Sequence, residues 1–123
     1  MLAMVIDDSR AMRSILGQLL KELGYGVVQA CNGREALLRL RQEPRPELAL
    51  VDWNMPEING LDFVRAVRAE PQFKDVRLVM VTTETGLPRM TAALEAGADE
   101  YVMKPFTPDT LEQKLAMIGA GAK

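Results

Sequence analysis

The sequence predicts an α/β domain in which short apolar strands alternate with amphipathic helices. Five times along the chain, a run of small or branched apolar residues is followed by a stretch whose apolar residues keep a helical spacing. Repeats of this kind close into a barrel or form an open sheet. A barrel needs eight repeats and about 250 residues, whereas this chain has 123. We therefore expect one domain over residues 1–123, with a doubly wound, five-stranded parallel sheet in the flavodoxin-like order 2-1-3-4-5 and helices on both faces.

The first repeat pairs a strand at residues 3–6 with a helix that Ser9 can cap. This helix is expected to end before Gly24, because glycine is favoured just beyond a helix C-terminus. The apolar residues of the helix keep the 3.6-residue period of a helix with one buried face: Met12, Ile15, Leu16, Leu19, Leu20 and Leu23.

The second repeat begins with a strand at residues 27–30, followed by a turn at Asn32 and Gly33. Its helix must stop before Pro44 and Pro46, because the residue before a proline disfavours helical geometry. One apolar face of this helix is made of Ala36, Leu37 and Leu40.

The third repeat has a strand at residues 48–51, a long loop of turn-forming residues at 52–60, and a helix. The inward face of that helix consists of Leu61, Val64 and Val67. The fourth repeat has a strand at residues 76–81 and a helix that starts around Gly86 and Pro88. The predicted buried face of this fourth helix consists of Met90, Ala93, Leu94 and Gly97.

The fifth repeat has a short strand at residues 101–103. Thr107 then offers a helix cap, Pro108 suits the first helical position, and Asp109 is a favourable acid in the first turn. The apolar residues of this last helix are Leu111, Leu115 and Ile118.

The composition narrows the function. Fifteen Lys and Arg stand against seventeen Asp and Glu, and a net charge of −2 favours neither nucleic acid nor a membrane as a direct partner. Histidine is absent, which excludes Ser-His and Cys-His nucleophiles and His-based metal sites. The single cysteine, Cys31, excludes an internal disulfide and is interpreted as a core residue. With neither a leader pattern nor a membrane-length apolar run, the expected location is the cytoplasm.

Charged residues follow three of the predicted strands at the point where each strand ends. Asp7 and Asp8 follow the first strand, Asp52 follows the third and Lys104 follows the fifth. Taken singly, each has an ordinary explanation as a helix-start acid, a turn residue or a solvated lysine. Because the carboxyl ends of parallel strands open into one crevice, however, these groups are expected to meet there. Carboxylates that share a small volume favour a hard divalent cation, and Mg²⁺ is the predicted cofactor.

These motifs resemble the receiver domain of two-component response regulators, over the full length of the chain. The resemblance consists of an acidic pair after the first strand, an Asp-x-x-x-Pro loop with a downstream glycine, a threonine after the fourth strand and Lys-Pro-Phe after the fifth. In this sequence the motifs are Asp7-Asp8, Asp52 to Pro56 with Gly60, Thr82, and Lys104-Pro105-Phe106.

The resemblance implies that Asp52 accepts a phosphoryl group from a phosphohistidine on a sensor histidine kinase or phosphotransfer protein. Asp8 and Asp52 would bind Mg²⁺ directly, Asp7 through a water, and Asn54 through its backbone carbonyl. Lys104 would supply positive charge and Thr82 a hydroxyl for the phosphoryl oxygens. Phosphoryl transfer requires little more than an in-line oxygen nucleophile and such positive charge, which agrees with this assignment.

The resemblance also implies a switch rather than an enzyme, although one that assists its own phosphorylation and dephosphorylation. Thr82 moves toward the phosphoryl group and Tyr101 enters the vacated space, which changes the surface of the fourth helix, fifth strand and fifth helix for a downstream protein. Asn54 and Glu84 influence how fast water removes the phosphoryl group. The kinase is expected to dock on the surface made of Arg10, Ala11, Ser14, Pro105 and Phe106.

Several alternatives remain open at this point. Haloacid-dehalogenase phosphatases combine similar groups but in another order, and the acidic pair would repel the phosphate of a flavin. Within the receiver family, residues 52–56 and 82–84 resemble the stand-alone chemotaxis type, whereas Gly86-Leu87-Pro88 departs from it. The chain is therefore interpreted as a single-domain regulator, and the alternative is the receiver part of a larger DNA-binding or enzymatic response regulator.

Overall fold

The computed structural model describes residues 1–121 as a five-stranded parallel sheet in the order β2-β1-β3-β4-β5. The strands are β1 Leu2–Ile6, β2 Gly26–Ala30, β3 Leu48–Val51, β4 Arg77–Thr82 and β5 Glu100–Met103. The α-helices are α1 Arg10–Glu22, α2 Gly33–Leu40, α3 Gly60–Arg68, α4 Leu87–Ala96 and α5 Pro108–Met117, and a short 3₁₀ helix covers Pro71–Phe73. The predicted fold class and strand order are confirmed. Residues 122 and 123 of the expected domain lie outside the described residues.

Apolar side chains fill the space on both faces of the sheet. Alternation along β1 directs Met4 and Ile6 to the face covered by α2, α3 and α4, and Ala3 and Val5 to the face covered by α1 and α5. The central strand β3 is buried along its whole length. This near-continuous burial explains why the strands appear in the sequence as unbroken apolar runs. Among the described residues, none of the helices combines the length and apolar character needed to cross a membrane.

Side-chain caps define where most of the helices begin. At the start of four helices, a side-chain oxygen accepts a hydrogen bond from the backbone N–H three residues later, and the capping residues are Ser9, Asn32, Asn59 and Thr107. Asn32, predicted as part of a turn, is therefore the cap of α2, with 2.8 Å between its Oδ1 and the Glu35 nitrogen. Helix α4 begins at Leu87, and its N-cap residue Gly86 has no side chain to accept such a hydrogen bond.

The structure corrects several burial predictions. Ile15, predicted on the buried face of α1, is 51% exposed. Cys31 is exposed rather than in the core, because it follows the last residue of β2, which is an edge strand. Leu94 was predicted on the buried face of α4 but is 42% exposed. The buried stripe of α4 is narrow, with fully buried Ala93 at its centre and Met90 only partly buried, and Leu94 lies beyond the edge of that stripe.

The predicted bounds of β4 were shifted by one residue. The strand runs from Arg77 to Thr82 instead of residues 76–81, so Thr82 is its last residue rather than the first of the following loop. In α3, the largest buried side chain is Phe63, which the predicted inward face omitted, while Leu61 is only partly buried.

Candidate functional site

Strand pairing brings the charged residues together at the carboxyl edge of the sheet. Ile6 of β1 lies opposite Val51 of β3, so the residues that follow each strand are neighbours. The Asp52 N–H donates to the Ile6 carbonyl at 3.0 Å, which continues the ladder beyond β3. On the far side, the Lys104 N–H donates to the Thr82 carbonyl at 2.8 Å. From β1 the sheet grows to β2 on one side and to β3 on the other, so the direction of chain progression changes between β1 and β3. Ligands bind at this point in open α/β sheets.

Three carboxylates converge at this edge. Asp7, Asp8 and Asp52 each offer an oxygen, and these oxygens lie within 4.8 Å of one another. Asp7 and Asp52 are buried at 1% and 8% exposure, whereas Asp8 is exposed and lies at the solvent side. The predicted acid cluster is therefore confirmed as a geometric group.

Lys104 is the cation of the cluster. Its Nζ lies 2.9 Å from Asp7 Oδ2 and 3.7 Å from Asp52 Oδ2, and its side chain is 11% exposed. Because three carboxylates face one ammonium, the local charge is close to −2 when all four groups are ionised. This excess of negative charge and the all-oxygen donor set fit a hard divalent cation such as Mg²⁺.

Hydrogen bonds from the backbone orient two of the carboxylates. The Ser9 N–H donates to Asp7 Oδ1 at 2.8 Å, so both Asp7 oxygens are engaged, one by this N–H and one by Lys104. The Asn54 N–H makes a longer contact of 3.4 Å with Asp52 Oδ1. The carboxylate of Asp52 is therefore less saturated than that of Asp7, and it is better placed to react or to bind a cation.

Burial raises the pKa of the Asp52 carboxyl above its usual value, because desolvation disfavours the charged form. The Lys104 ammonium and the Thr82 hydroxyl act in the opposite direction, and the Asp7 carboxylate adds a smaller upward effect. A cation at this site would favour the ionised carboxylate, which is the form that acts as a nucleophile.

The two predicted switch residues lie on adjacent strands beside the acid cluster. Thr82 is fully buried at the end of β4, and its Oγ1 accepts a hydrogen bond from the Glu84 N–H at 3.2 Å. Tyr101 on β5 is 3% exposed, and its hydroxyl donates to the Glu84 carbonyl at 2.8 Å. In this structure the tyrosine ring already lies inside, and burial raises the pKa of its phenol.

Asn54 and Glu84, expected to influence loss of the phosphoryl group, contact each other directly. Asn54 Nδ2 donates to Glu84 Oε2 at 2.9 Å, which connects the loop after β3 to the loop after β4. The other oxygen of Glu84 pairs with Arg89 Nε at 3.0 Å, and the Arg89 guanidinium lies 5.3 Å from the centre of the Trp53 ring. Sequence reasoning missed Arg89, because a charged residue in the first turns of a helix is an ordinary surface feature.

Gly60 positions the loop that carries Asp52. A Cβ at residue 60 would collide with the Asp52 carbonyl oxygen, and it would lie 2.8 Å from both the Trp53 Cα and the Met80 Cε. The Gly60 N–H donates to the Trp53 carbonyl at 2.8 Å. The sequence placed this glycine in the motif, and the structure adds the reason, which is close backbone approach at the start of α3.

The surface predicted to dock a kinase is exposed and partly apolar. Arg10, Ala11 and Ser14 are all exposed on α1. Beside them, a groove of about 240 Å³ is lined by Met12, Ile15, Leu19, Lys104, Pro105, Phe106 and Pro108. The Lys104-Pro105 peptide bond within it is cis.

The fold and the acid cluster correspond to the receiver domain of response regulators. The model of the family described as Response regulator receiver domain matches residues 3–116, and the chain belongs to this family. Members are signalling switches rather than turnover enzymes, bind Mg²⁺ at an acidic pocket, and interact with histidine kinases and downstream targets.

Within this family, the chain is a receiver domain of the CheY type. It is 44% identical over 116 residues to the chemotaxis protein CheY1 of Helicobacter pylori, which covers 94% of each chain. The structure of the chemotaxis protein CheY4 of Vibrio cholerae matches with a TM-score of 0.87 and 36% identity, over 95% of this chain and 97% of that one. A probable two-component response regulator/GGDEF domain protein matches with a TM-score of 0.87 and 30% identity, but this chain covers only 48% of it.

Proposed function

We propose that Asp52 is the phosphoacceptor of a response regulator and takes its phosphoryl group from a phosphohistidine on a sensor kinase or phosphotransfer protein. The observation that carries this proposal is the grouping of Asp7, Asp8 and Asp52 within 4.8 Å, with the Lys104 ammonium 3.7 Å from Asp52. Of the two buried carboxylates, Asp52 has fewer short hydrogen bonds to its oxygens than Asp7.

The transfer requires one bond to form and one to break. An Asp52 carboxylate oxygen attacks phosphorus in line with the phosphorus–nitrogen bond, and the imidazole of the donor leaves with the bonding electron pair. Lys104 lies close enough to Asp52 to offset negative charge on the phosphoryl oxygens, and the buried Thr82 hydroxyl is available to donate to one of them. The side chains of this protein therefore orient the reacting groups and offset their charge, while the donor supplies the phosphoryl group.

Asp8, Asp52 and the backbone carbonyl of Asn54 are the proposed direct ligands of Mg²⁺, with Asp7 acting through a water. Both Asp7 oxygens already accept short hydrogen bonds, from Ser9 and Lys104, which supports an indirect role for this residue. When bound, Mg²⁺ supplies positive charge that offsets the carboxylates and the incoming phosphoryl oxygens.

The proposed output is a change in the surface formed by α4, β5 and α5. Phosphorylation adds negative charge beside Thr82, and movement of its hydroxyl toward the phosphoryl group would break the hydrogen bond from Glu84. The Glu84 carbonyl also holds the Tyr101 hydroxyl, so the change reaches β5. Exposed apolar side chains already mark this surface as one that a partner can cover, and they are Leu87, Leu94, Met103 and Met117.

The proposed partners are a sensor histidine kinase or phosphotransfer protein at the groove beside Pro105 and Phe106, and a downstream protein at the α4-β5-α5 surface. The similarity to chemotaxis proteins over nearly the whole chain favours a single-domain regulator. The alternative is the receiver part of a larger response regulator, and the match to half of a response regulator/GGDEF protein supports it. A pull-down from a lysate of the source organism, with the phosphorylated chain as bait and Asp52→Asn as the comparison bait, would identify the downstream partner.

The direct test is labelling with radioactive acetyl phosphate, with and without Mg²⁺. We expect labelling of the unchanged chain only with Mg²⁺, and none for Asp52→Asn. Asp75 is an exposed acid in the turn that precedes β4, and therefore lies at the opposite edge of the sheet. Asp75→Asn is the matched control and should label normally. Trp53 adjoins the acceptor, so its fluorescence should report Mg²⁺ and donor in the unchanged chain. Labelling that persists in Asp52→Asn would refute the assignment.

A further inference from the structure

Arg89, in the first turn of α4, contacts two residues in the loops that follow β3 and β4. Its Nε lies 3.0 Å from Glu84 Oε1, and its guanidinium carbon lies 5.3 Å from the centre of the Trp53 ring. Trp53 immediately follows Asp52 and is 7% exposed. One arginine therefore joins α4 both to the loop that carries the acceptor and to the residue two positions beyond Thr82.

The carboxylate of Glu84 is held from two directions. Asn54 Nδ2 donates to Oε2 at 2.9 Å, and Arg89 engages Oε1. The side chain of Glu84 is 26% exposed, whereas that of Arg89 is 50% exposed, so the pair lies at the solvent boundary of the site. Because each carboxylate oxygen has two lone pairs, both oxygens remain able to accept a hydrogen bond from a water.

We propose that Arg89 is a positioning residue that holds the Glu84 carboxylate at the mouth of the Asp52 pocket and thereby sets the lifetime of the phosphoryl group. This inference rests on the proposed phosphoacceptor role of Asp52. In the reaction concerned, a water oxygen bonds to phosphorus and the bond from phosphorus to the Asp52 oxygen breaks. The carboxylate leaves with the electron pair, and inorganic phosphate and one proton are released.

The physical reason is orientation. A carboxylate that orients the attacking water must be held in one place, since a misplaced group loses most of its effect. Without Arg89, the Glu84 carboxylate keeps only the hydrogen bond from the exposed Asn54 amide among the residues that the structure describes, and it is free to turn toward solvent.

The test compares how fast labelled protein loses its phosphoryl group after the donor is removed. We expect Arg89→Ala to slow this loss roughly three- to thirtyfold, which corresponds to about 0.6–2 kcal/mol and is the range that an exposed ion pair and an exposed cation–π contact contribute together. Arg41→Ala is the matched control, because Arg41 pairs with Glu70 at 2.9 Å with similar exposures of 49% and 30%. It should lose the label at the unchanged rate.

A double variant separates positioning from a merely structural role. If Arg89 acts through Glu84, then Arg89→Ala should have no further effect in a Glu84→Ala background. Equal slowing in both backgrounds would overturn the proposal. A second result would also overturn the proposal. If Arg89→Ala takes up label more slowly than the unchanged chain, high salt removes that difference, and the rate of loss is the same in both, then Arg89 only attracts the anionic donor.

Two outcomes separate this inference from the function on which it rests. If the unchanged chain takes no label from acetyl phosphate with Mg²⁺, the phosphoacceptor role fails and the positioning role fails with it. If the unchanged chain is labelled and Arg89→Ala loses the label at the same rate, only the positioning role is overturned. Because Arg89 lies over the Trp53 ring, the size of the Trp53 fluorescence change can differ in the variant. An equal Mg²⁺ concentration at half-response in both proteins would show that the acid pocket is intact.

Discussion

Replacement of Gly60 by alanine should destabilise the protein, although alanine is normally the better helix former. Gly60 is the first residue of α3, and an added Cβ would meet two backbone atoms, the Asp52 carbonyl oxygen and the Trp53 Cα. Backbone atoms cannot rotate away as a flexible side chain can. Overpacking of this kind costs about 1–3 kcal/mol, which exceeds what alanine gains in a helix.

Gly17 provides a matched control within α1. It is also buried in a helix, but a Cβ there would lie 3.5 Å from the Val27 Cγ1 and 3.8 Å from the Gln29 Nε2, which are ordinary contact distances. Gly17→Ala should therefore stabilise the protein by about 0.5–1 kcal/mol. The two substitutions are chemically identical and are expected to have opposite signs.

Urea unfolding followed by circular dichroism and by Trp53 fluorescence measures both effects. With a slope of about 2 kcal/mol/M, we expect the midpoint to fall by about 1 M for Gly60→Ala and to rise by about 0.3–0.5 M for Gly17→Ala. Gly60→Ala should also weaken the response of Trp53 to Mg²⁺, because the collision displaces the loop that carries Asp52. A Gly60→Ala protein as stable as the unchanged chain would refute the steric reasoning.

Three further predictions concern charge, protonation and exposure. Asp8→Asn should weaken Mg²⁺ binding about tenfold or more, as measured by Trp53 fluorescence. The same substitution should stabilise the metal-free protein against urea, because it removes repulsion among three carboxylates. Burial raises the pKa of Tyr25 and Tyr101 above 10.0, so the unfolded chain loses its phenolic protons first. Stability should thus fall as pH rises above about 10, and tyrosinate absorbance should appear at higher pH in the native than in the urea-unfolded protein. Cys31, being exposed, should react with a thiol reagent in the native protein as completely as in urea, and protection would contradict its position.

The strands and helices were predictable because their signals are local. Apolar runs such as residues 48–51 mark buried parallel strands, and caps such as Ser9 and Thr107 mark helix starts through a hydrogen bond to a backbone N–H three residues away. The errors came from contacts that are not local. Leu94 keeps the helical period of α4, but only the packing of the neighbouring elements decides how wide the buried stripe is.

The members of the acid cluster and their meeting at one edge of the sheet were predictable, whereas the contacts around the cluster were not. Asp7, Asp8, Asp52 and Lys104 follow apolar runs, so their positions at strand ends could be read directly. The contact from Glu84 to Arg89 could not be predicted. The spacing of two surface charges does not indicate whether they pair beside a functional site.

The sequence by itself determined the alternation of strands and helices, the residues at the strand ends and the family, because hydrophobic periodicity, helix caps and motifs are properties of neighbours along the chain. Only the tertiary structure decided that the three carboxylates come within 4.8 Å of one another and that Arg89 reaches Glu84 and Trp53. Those facts depend on the burial of apolar faces between elements distant in sequence, and this burial sets the distances on which charge interactions depend.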